Sequence, residues 1–205
     1  MARYFLLFCV FLGFSCFASE SDLLDSDYPV SQSSYGVVGL VVMPTARFAN
    51  DGEFTFGIST ESPFNRLYAN VQFFPWMEAV LKYTEGTHLA YHITGSHQTW
   101  KDKGIDVKFR LFEEGNIVPA LAVGFVDFGG TGAYSSEYIA ASKRVNNFDL
   151  TLGLGWGRFA GLDHISNPLS LLLDSSRSWS GGSDVALGGA LNLGTFFTGD
   201  NVSIF

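Results

Sequence analysis

The sequence predicts an all-β protein: an antiparallel transmembrane β-barrel of the outer-membrane type, of which this chain supplies an incomplete N-terminal portion. Three observations predict this class. Several stretches alternate apolar and polar residues with a period of two. The connections between them are short at every second position. Aromatic residues gather at the ends of the alternating stretches.

The alternation is clearest in two places. Over 104–112, Ile105, Val107, Phe109 and Leu111 point one way and Asp106, Lys108 and Arg110 the other. Over 148–158, Phe148, Leu150, Leu152, Leu154 and Trp156 oppose Asp149, Thr151, Gly153, Gly155 and Gly157. Successive side chains of a strand face opposite sides of the sheet, so each stretch has one apolar face and one polar or empty face. Further strands are expected over 53–60, 66–74, 77–84, 118–128, 137–145 and 183–196. A water-soluble sandwich gives the same alternation, and the connections decide between the two. Those at 75–76, 113–117, 146–147 and 197–201 are short; those at 61–65, 85–103, 129–136 and 159–182 are mostly longer. Outer-membrane barrels have short periplasmic turns and long outer loops, whereas a sandwich has no reason to put its long loops at one end. An exported N-terminus starts in the periplasm, so strand 53–60 climbs outward. Phe73, Phe74, Trp76, Tyr83, Phe112, Phe128, Tyr134, Phe148, Trp156 and Phe196 lie at strand ends, where aromatic girdles meet the two membrane interfaces. The 20 Phe and an aromatic content of 16% suit lipid contact.

The 205 residues are enough for one domain of ordinary size. With 47% hydrophobic and only 16% charged residues, the chain still holds no run of about 18 apolar residues after its N-terminal segment, so helical spans are not expected. The formal charge of −8 argues against a nucleic-acid partner, which requires a basic face.

Residues 1–18 read as a secretory signal, with Arg3 as the positive start, an apolar core over 4–14, and Cys16-Phe17-Ala18 before the cut. Both cysteines, Cys9 and Cys16, fall in this segment, so disulfides play no part in the mature chain. Cys16 is alternatively a lipidation site, because Leu12-Gly13-Phe14-Ser15-Cys16 resembles a lipobox. Residues 19–35 carry Glu20, Asp22, Asp25 and Asp27 and read as a flexible acidic lead-in. The barrel region runs from 36 to 205. Its first stretch, 36–43, is apolar without alternation, and is either a first strand or a piece buried in the barrel mouth.

Several blocks resemble one known family. Gly39-Leu40, Met43-Pro44-Thr45-Ala46-Arg47, Phe73-Phe74-Pro75-Trp76-Met77-Glu78-Ala79 and Tyr83-Thr84 are similar to the YjbH/GfcD family of outer-membrane exopolysaccharide and capsule proteins. So are Lys101-Asp102-Lys103-Gly104-Ile105-Asp106-Val107-Lys108-Phe109-Arg110-Leu111, Phe128-Gly129-Gly130-Thr131-Gly132, Ser136-Glu137-Tyr138, Ala141-Ser142-Lys143-Arg144 and Leu152-Gly153-Leu154-Gly155-Trp156-Gly157. The resemblance covers roughly Tyr35 to the end. It implies a non-enzymatic barrel in the outer membrane of a Gram-negative bacterium, assisting biosynthesis, export or surface assembly of an exopolysaccharide or capsule. The implied partners are the polymer, outer-membrane lipid and other proteins of a secretion system; no cofactor is implied, and no catalytic residue is carried over. The alternative is a general pore or structural barrel without polysaccharide specificity. Members of the family are much longer than this chain. Asn201-Val202-Ser203-Ile204-Phe205 reads as the start of another strand, so the chain is expected to stop inside the barrel.

The candidate site follows from strand phase. Arg66, Lys82, Lys108 and Arg110 fall on the polar faces of three consecutive strands, with Asp106 and Glu78 among them. Arg66, Lys82, Asp106, Lys108 and Arg110 are therefore the expected polysaccharide contacts, a basic lumen patch that attracts an acidic polymer. The competing reading is a network in which Asp106 and Glu78 pair with these cations, since unpaired buried charge is costly. The inward Gly153, Gly155, Gly157, Ala186, Gly188 and Ala190 either leave passage for a chain or permit curvature. His88, His92 and His97 share one loop but lack an orienting shell, so no metal site is expected. Asp163, His164 and Ser166 are too close in sequence for a hydrolase triad. The glycines of 128–132 have no following Lys or helix and do not make a phosphate loop. The apolar piece 169–173 either folds inward as a constriction or lies on the outer leaflet.

Overall fold

The computed structural model describes residues 29–90, 98–130, 132, 134–160, 165–173 and 196–205. A short hairpin, β1 (Gly39–Leu40) and β2 (Met43–Pro44), precedes a nine-stranded antiparallel sheet. The sheet strands are β3 (Phe54–Glu61), β4 (Phe64–Phe74), β5 (Met77–Ala90), β6 (Thr99–Phe112), β7 (Ala120–Val126), β8 (Ser136–Val145), β9 (Phe148–Gly157), β10 (Ile165–Ser166) and β11 (Asn201–Ile204). From β3 to β9 each strand pairs with the next, an up-and-down meander. The order then runs β9-β11-β10. Among the described residues β3 and β10 are the two edges, and no closed barrel forms.

Seven strands lie within a few residues of where alternation put them, except that β5 and β6 run much further. The expected loop 85–103 is largely ladder, with Thr84 opposite Asp102, Glu85 opposite Lys101 and Gly86 opposite Trp100. This extension escaped the sequence because its residues are polar on both faces. A period-two apolar pattern marks a strand only while one face is buried or in lipid. Most of the expected strand 183–196 lies outside the described residues; Phe196 itself sits in a turn. The strand beside β9 is instead β11, with Ser203 opposite Gly155 and Ile204 opposite Leu154. Phe205 prolongs the pairing, its N–H donating to Gly153 O at 3.0 Å.

The burial is inside out. Arg66, Asn70, Gln72, Glu78, Lys82, Thr84, Asp106 and Lys108 are all buried, while Phe54, Phe56, Ile58, Leu81, Ile105, Leu111, Phe148, Leu150 and Leu152 are exposed. On the outward face of β6, Lys101 and Lys103 give way to Ile105, Val107, Phe109 and Leu111. Six steps at about 3.3 Å make this apolar stretch roughly 20 Å long along the strand. Rings cluster at its lower end, at the short turns: Phe74 stacks on Trp76 at 5.2 Å and Trp76 on Phe109 at 6.2 Å.

One expected girdle residue belongs elsewhere. Trp156 is 1% exposed. Its indole N–H donates to Asn167 Oδ1 at 3.0 Å, and its ring meets Phe197 edge-on at 5.0 Å. The chain after β9 thus folds over the outer face of the sheet at its long-loop end, because Asn167 also ties down Phe197 O and Gly199 O. In the apolar piece within it, Leu171 is 94% exposed and Leu172 78%.

Candidate functional site

The concave face of the sheet is filled by the chain itself. Of the apolar stretch 36–43, residues 36–39 are buried against the wall, Val37 at 7% and Val38 at 1%, whereas Leu40, Val41 and Met43 around the hairpin turn are exposed; burial resumes after it, as at Ala46 and Phe48. Polar side chains of the wall hold its backbone, since a segment without long strands must find partners for its amides elsewhere. At the centre, Glu78 Oε1 accepts from Val38 N at 2.7 Å and also from Asn70 Nδ2. Asn70 Nδ2 donates to Gly36 O at 2.7 Å. Lys108, directly opposite Glu78 in the ladder, forms an ion pair with it. The same ammonium donates to Val38 O at 3.2 Å and to Arg47 O at 2.7 Å, and lies 4.5 Å from the Phe48 ring centre.

At the short-turn end Arg47 clasps the segment to the far wall. Its guanidinium pairs with Glu114 at 2.6 Å and Asp149 at 2.7 Å, and Ala46 N donates to Ser142 Oγ at 2.9 Å. Burial pushes the Glu114 carboxyl up, but hydrogen bonds from the Arg144 amide, Lys143 and Arg47 outweigh it and hold the group below the usual carboxylate range. On the opposite side Ser59 Oγ donates to Ser34 O at 2.6 Å. The segment therefore bridges from β3 and β4 to β8 and β9, and the sheet curves around it.

Above the segment, at the long-loop end, a cavity of about 250 Å³ opens. Tyr35, Val37, Val42 and Pro44 form its floor; Phe64, Arg66, Lys82, Asp106, Tyr134, Arg158 and Phe159 are among its wall residues. Lys82 Nζ pairs with Asp106 at 2.7 Å, and Asp106 also accepts from Asp127 N at 2.7 Å. Arg66 lies 4.5 Å from the Tyr35 ring centre and pairs with Glu61 at 3.2 Å. Arg158 lies 5.2 Å from the ring centre of Tyr134. Behind the wall, burial and the neighbouring Asp102 charge raise the Asp127 carboxyl to about 6. Its Oδ2 accepts from Tyr134 N at 3.1 Å and so fixes the loop 127–135.

The five expected contacts share one face but not one patch. Arg66, Lys82 and Asp106 line the cavity, while Lys108 grips the segment. Arg110 lies at the short-turn end, 4.7 Å from the Phe48 ring centre and 3.1 Å from Glu113. The two central pairs match the network alternative. Gly153 and Gly155 leave no passage, because the rings of Phe205 and Phe159 stand where a Cβ would go. Sequence reasoning missed Tyr35, Arg47, Glu114 and Tyr134 as site residues, since turns and lead-ins carry no phase, and missed Asp127 and Arg158 because the strands end at Val126 and Gly157, short of the expected 128 and 158. Only Arg47 had a signal, as the end of the Met43–Arg47 block. His88 is exposed on β5; His92, His97, Asp163 and His164 lie outside the described residues. No metal-binding cluster occurs among the described residues. Gly130 of the 128–132 loop faces the Asp127 carboxylate, which would repel a phosphate.

A curved antiparallel meander with a polar concave face, against which part of the chain's own N-terminal segment packs, and an apolar convex face defines the class: an all-β antiparallel sheet protein. The family follows from sequence comparison. The model of the YjbH family, described as exopolysaccharide biosynthesis protein, matches residues 31–205, and the chain belongs to that family. The chain is 40% identical over 172 residues to an Escherichia coli (strain K12) protein named uncharacterized lipoprotein YjbH. That match takes in 82% of this chain and 24% of the relative, so the chain spans about a quarter of the relative's length. No solved structure matches. Membership connects the chain to exopolysaccharide biosynthesis.

Proposed function

We propose that the chain forms part of an outer-membrane β-barrel that assists export or surface assembly of an exopolysaccharide, without catalysing a reaction. The observation that supports this most is the inside-out burial: charged side chains face inward and large apolar ones outward. Only a lipid surroundings makes that arrangement favourable, and a closed barrel satisfies all backbone groups there. The barrel closes with strands other than those described. The N-terminal segment directs export, and the lipoprotein name of the relative supports the alternative in which the signal is cut before Cys16 and Cys16 carries the lipid anchor. The segment 31–48 occupies the lumen, and Arg66, Lys82 and Asp106 meet the polymer where it passes the long-loop end. Lys108 and Arg110 act on the segment below, which shifts before a polymer passes.

The test is a deletion strain complemented with the intact gene. Outer-membrane fractionation of the product and loss of secreted polysaccharide in the deletion are expected. A product that washes out of the periplasm in soluble form, or unchanged polysaccharide output, contradicts the reading.

A further inference from the structure

We propose that Lys101 and Lys103, on the convex face of β6 at its long-loop end, bind the phosphate of an outer-leaflet lipid whose acyl chains lie on the apolar face below; this goes beyond the polysaccharide role and rests on the outer-membrane reading. Among the described residues these two cations stand apart. Every other described lysine or arginine has a partner, in most cases a carboxylate. The side chains of Lys101 and Lys103 are exposed, and make no ion pair or hydrogen bond within the described residues.

Register gives the charges around them. Lys103 stands opposite Tyr83, and Lys101 opposite Glu85. Glu85 accepts from Thr99 Oγ1 at 2.6 Å, and is the one described carboxylate beside the pair on this face. Asp102, Asp106 and Asp127, all under 5% exposed, sit with Lys82 on the concave side. Glu137, two strands away on the convex side, is 0% exposed and accepts from Phe197 N at 3.0 Å. Glu61, at the end of β3, pairs with Arg66 at 3.2 Å. Two exposed ammoniums thus face one carboxylate, and the surplus is positive.

Below the lysines the face turns apolar. Ile105 follows Lys103 on the same side of β6, two strand steps or roughly 6.6 Å on, with Leu81 opposite it. Leu81 is 55% exposed and Ile105 39%. A lysine at such a border lays its methylene stem along the apolar surface and holds its ammonium at headgroup level. Two ammoniums on successive same-face positions converge on one phosphate, whereas a zwitterionic headgroup brings its own amine and gains less. The other end of the band differs. It carries the exposed rings of Phe73, Phe74 and Trp76, and its convex-face Lys143 is already paired with Glu114 at 3.0 Å. Unpaired cations therefore mark the long-loop interface alone, the outward one in the proposed barrel.

The experiment is native mass spectrometry of the intact gene product, extracted from outer membranes in a non-ionic detergent and titrated with lipid A or phosphatidylethanolamine. Lipid A, whose phosphates carry no amine, is expected to bind saturably and at least about tenfold tighter, as two lysines at about fivefold each imply. Lys101→Gln and Lys103→Gln are each expected to weaken lipid A about fivefold and to leave phosphatidylethanolamine unchanged. Lys103→Arg is expected to keep the affinity, and Glu85→Gln to raise it, because the counter-charge is gone. Folding is checked by heat-modifiable gel mobility, and Glu85→Gln serves where a lysine variant fails to fold. Inorganic phosphate at the lipid's own concentration is expected not to compete, since it lacks the acyl chains. Equal affinity for the two lipids, lipid A affinity unmoved in the folded variants, or displacement by inorganic phosphate overturns the proposal. Those results leave the barrel standing, whereas a product that washes out of the periplasm in soluble form overturns the barrel whatever it binds.

Discussion

Arg47 ties the inner segment to the wall through two ion pairs. It is 8% exposed in its side chain, and reaches two carboxylates on two different parts of the wall. Its replacement leaves Glu114 with Lys143 at 3.0 Å and Asp149 with Arg144 at 3.6 Å, but frees the segment from both carboxylates. Arg47→Ala is therefore expected to cost about 1.5–3 kcal/mol, the worth of hydrogen bonds to charged groups. The loss is local, so the measurement is trypsin or proteinase cleavage within 31–48 on the folded protein; cleavage as slow as in the wild type would refute the clasp. Acid acts on the same clasp. The Glu114 carboxyl titrates below its unfolded value, so the stability that it contributes is present above about pH 4 and lost as pH falls further.

Asp127 behaves in the opposite sense. Burial and then Asp102 raise it to about 6, above an unfolded value near 4. The native state therefore binds the proton more tightly, and its advantage is full below about pH 4 and lost as pH rises through about 6. Loop 127–135, pinned by the hydrogen bond from Tyr134 N to Asp127 Oδ2, is expected to become more protease-sensitive between about pH 4.5 and 7. Asp127→Asn should flatten that dependence. Sensitivity that is independent of pH in the wild type would contradict it.

At the scale of elements, strand phase was legible wherever one face is apolar and the other polar or empty. Leu150 and Leu152 on β9 are 58% and 64% exposed, as the alternation required. Leu152→Arg is expected to cost about 2–4 kcal/mol at mid-membrane, read as a lost or shifted heat-modifiable band. Phe56 on β3 offers the same contrast with Thr55, its inward neighbour. Wild-type mobility for Leu152→Arg would show that β9 faces something other than lipid. Phase failed at Trp156 because phase gives a face and not what covers it: the cover comes from Asn167 and Phe197, ten or more residues along the chain. It failed for β5 and β6 beyond Glu85 because polar residues and glycines on both faces remove the apolar alternation. The glycines show a third limit. Gly153 reads as an empty inward position, yet the ring of Phe205, at the end of the neighbouring strand, occupies the space. A glycine facing an aromatic on the next strand is a packed pair, visible only once register is known.

The whole molecule is a wall curved around a piece of its own N-terminal sequence. That piece explains why the polar face is so rich in pairs: Glu78, Asn70 and Lys108 satisfy each other and the backbone of 36–38 at once. The sequence placed the charges on one face but could not assign them to layers, because ion pairs such as Lys82–Asp106 run diagonally between strands. The pairs at the centre hold the segment; those at the long-loop end leave a cavity with two stacked guanidiniums.

The central claim is that the apolar face of this wall meets lipid. The chain's two cysteines, Cys9 and Cys16, lie in the signal segment, so single cysteines elsewhere can carry nitroxide labels. The measurement is electron paramagnetic resonance accessibility in reconstituted bilayers. Labels at Phe56, Ile58, Leu81, Leu150 and Leu152 are predicted to be accessible to oxygen and shielded from a water-soluble nickel chelate. Labels at the inward Thr55, Ser59 and Thr151 are predicted to show the reverse or exclusion of both, with a period of two along each strand. Nickel accessibility at Leu150, Leu152 and Ile58 equal to that of an exposed loop would contradict the account.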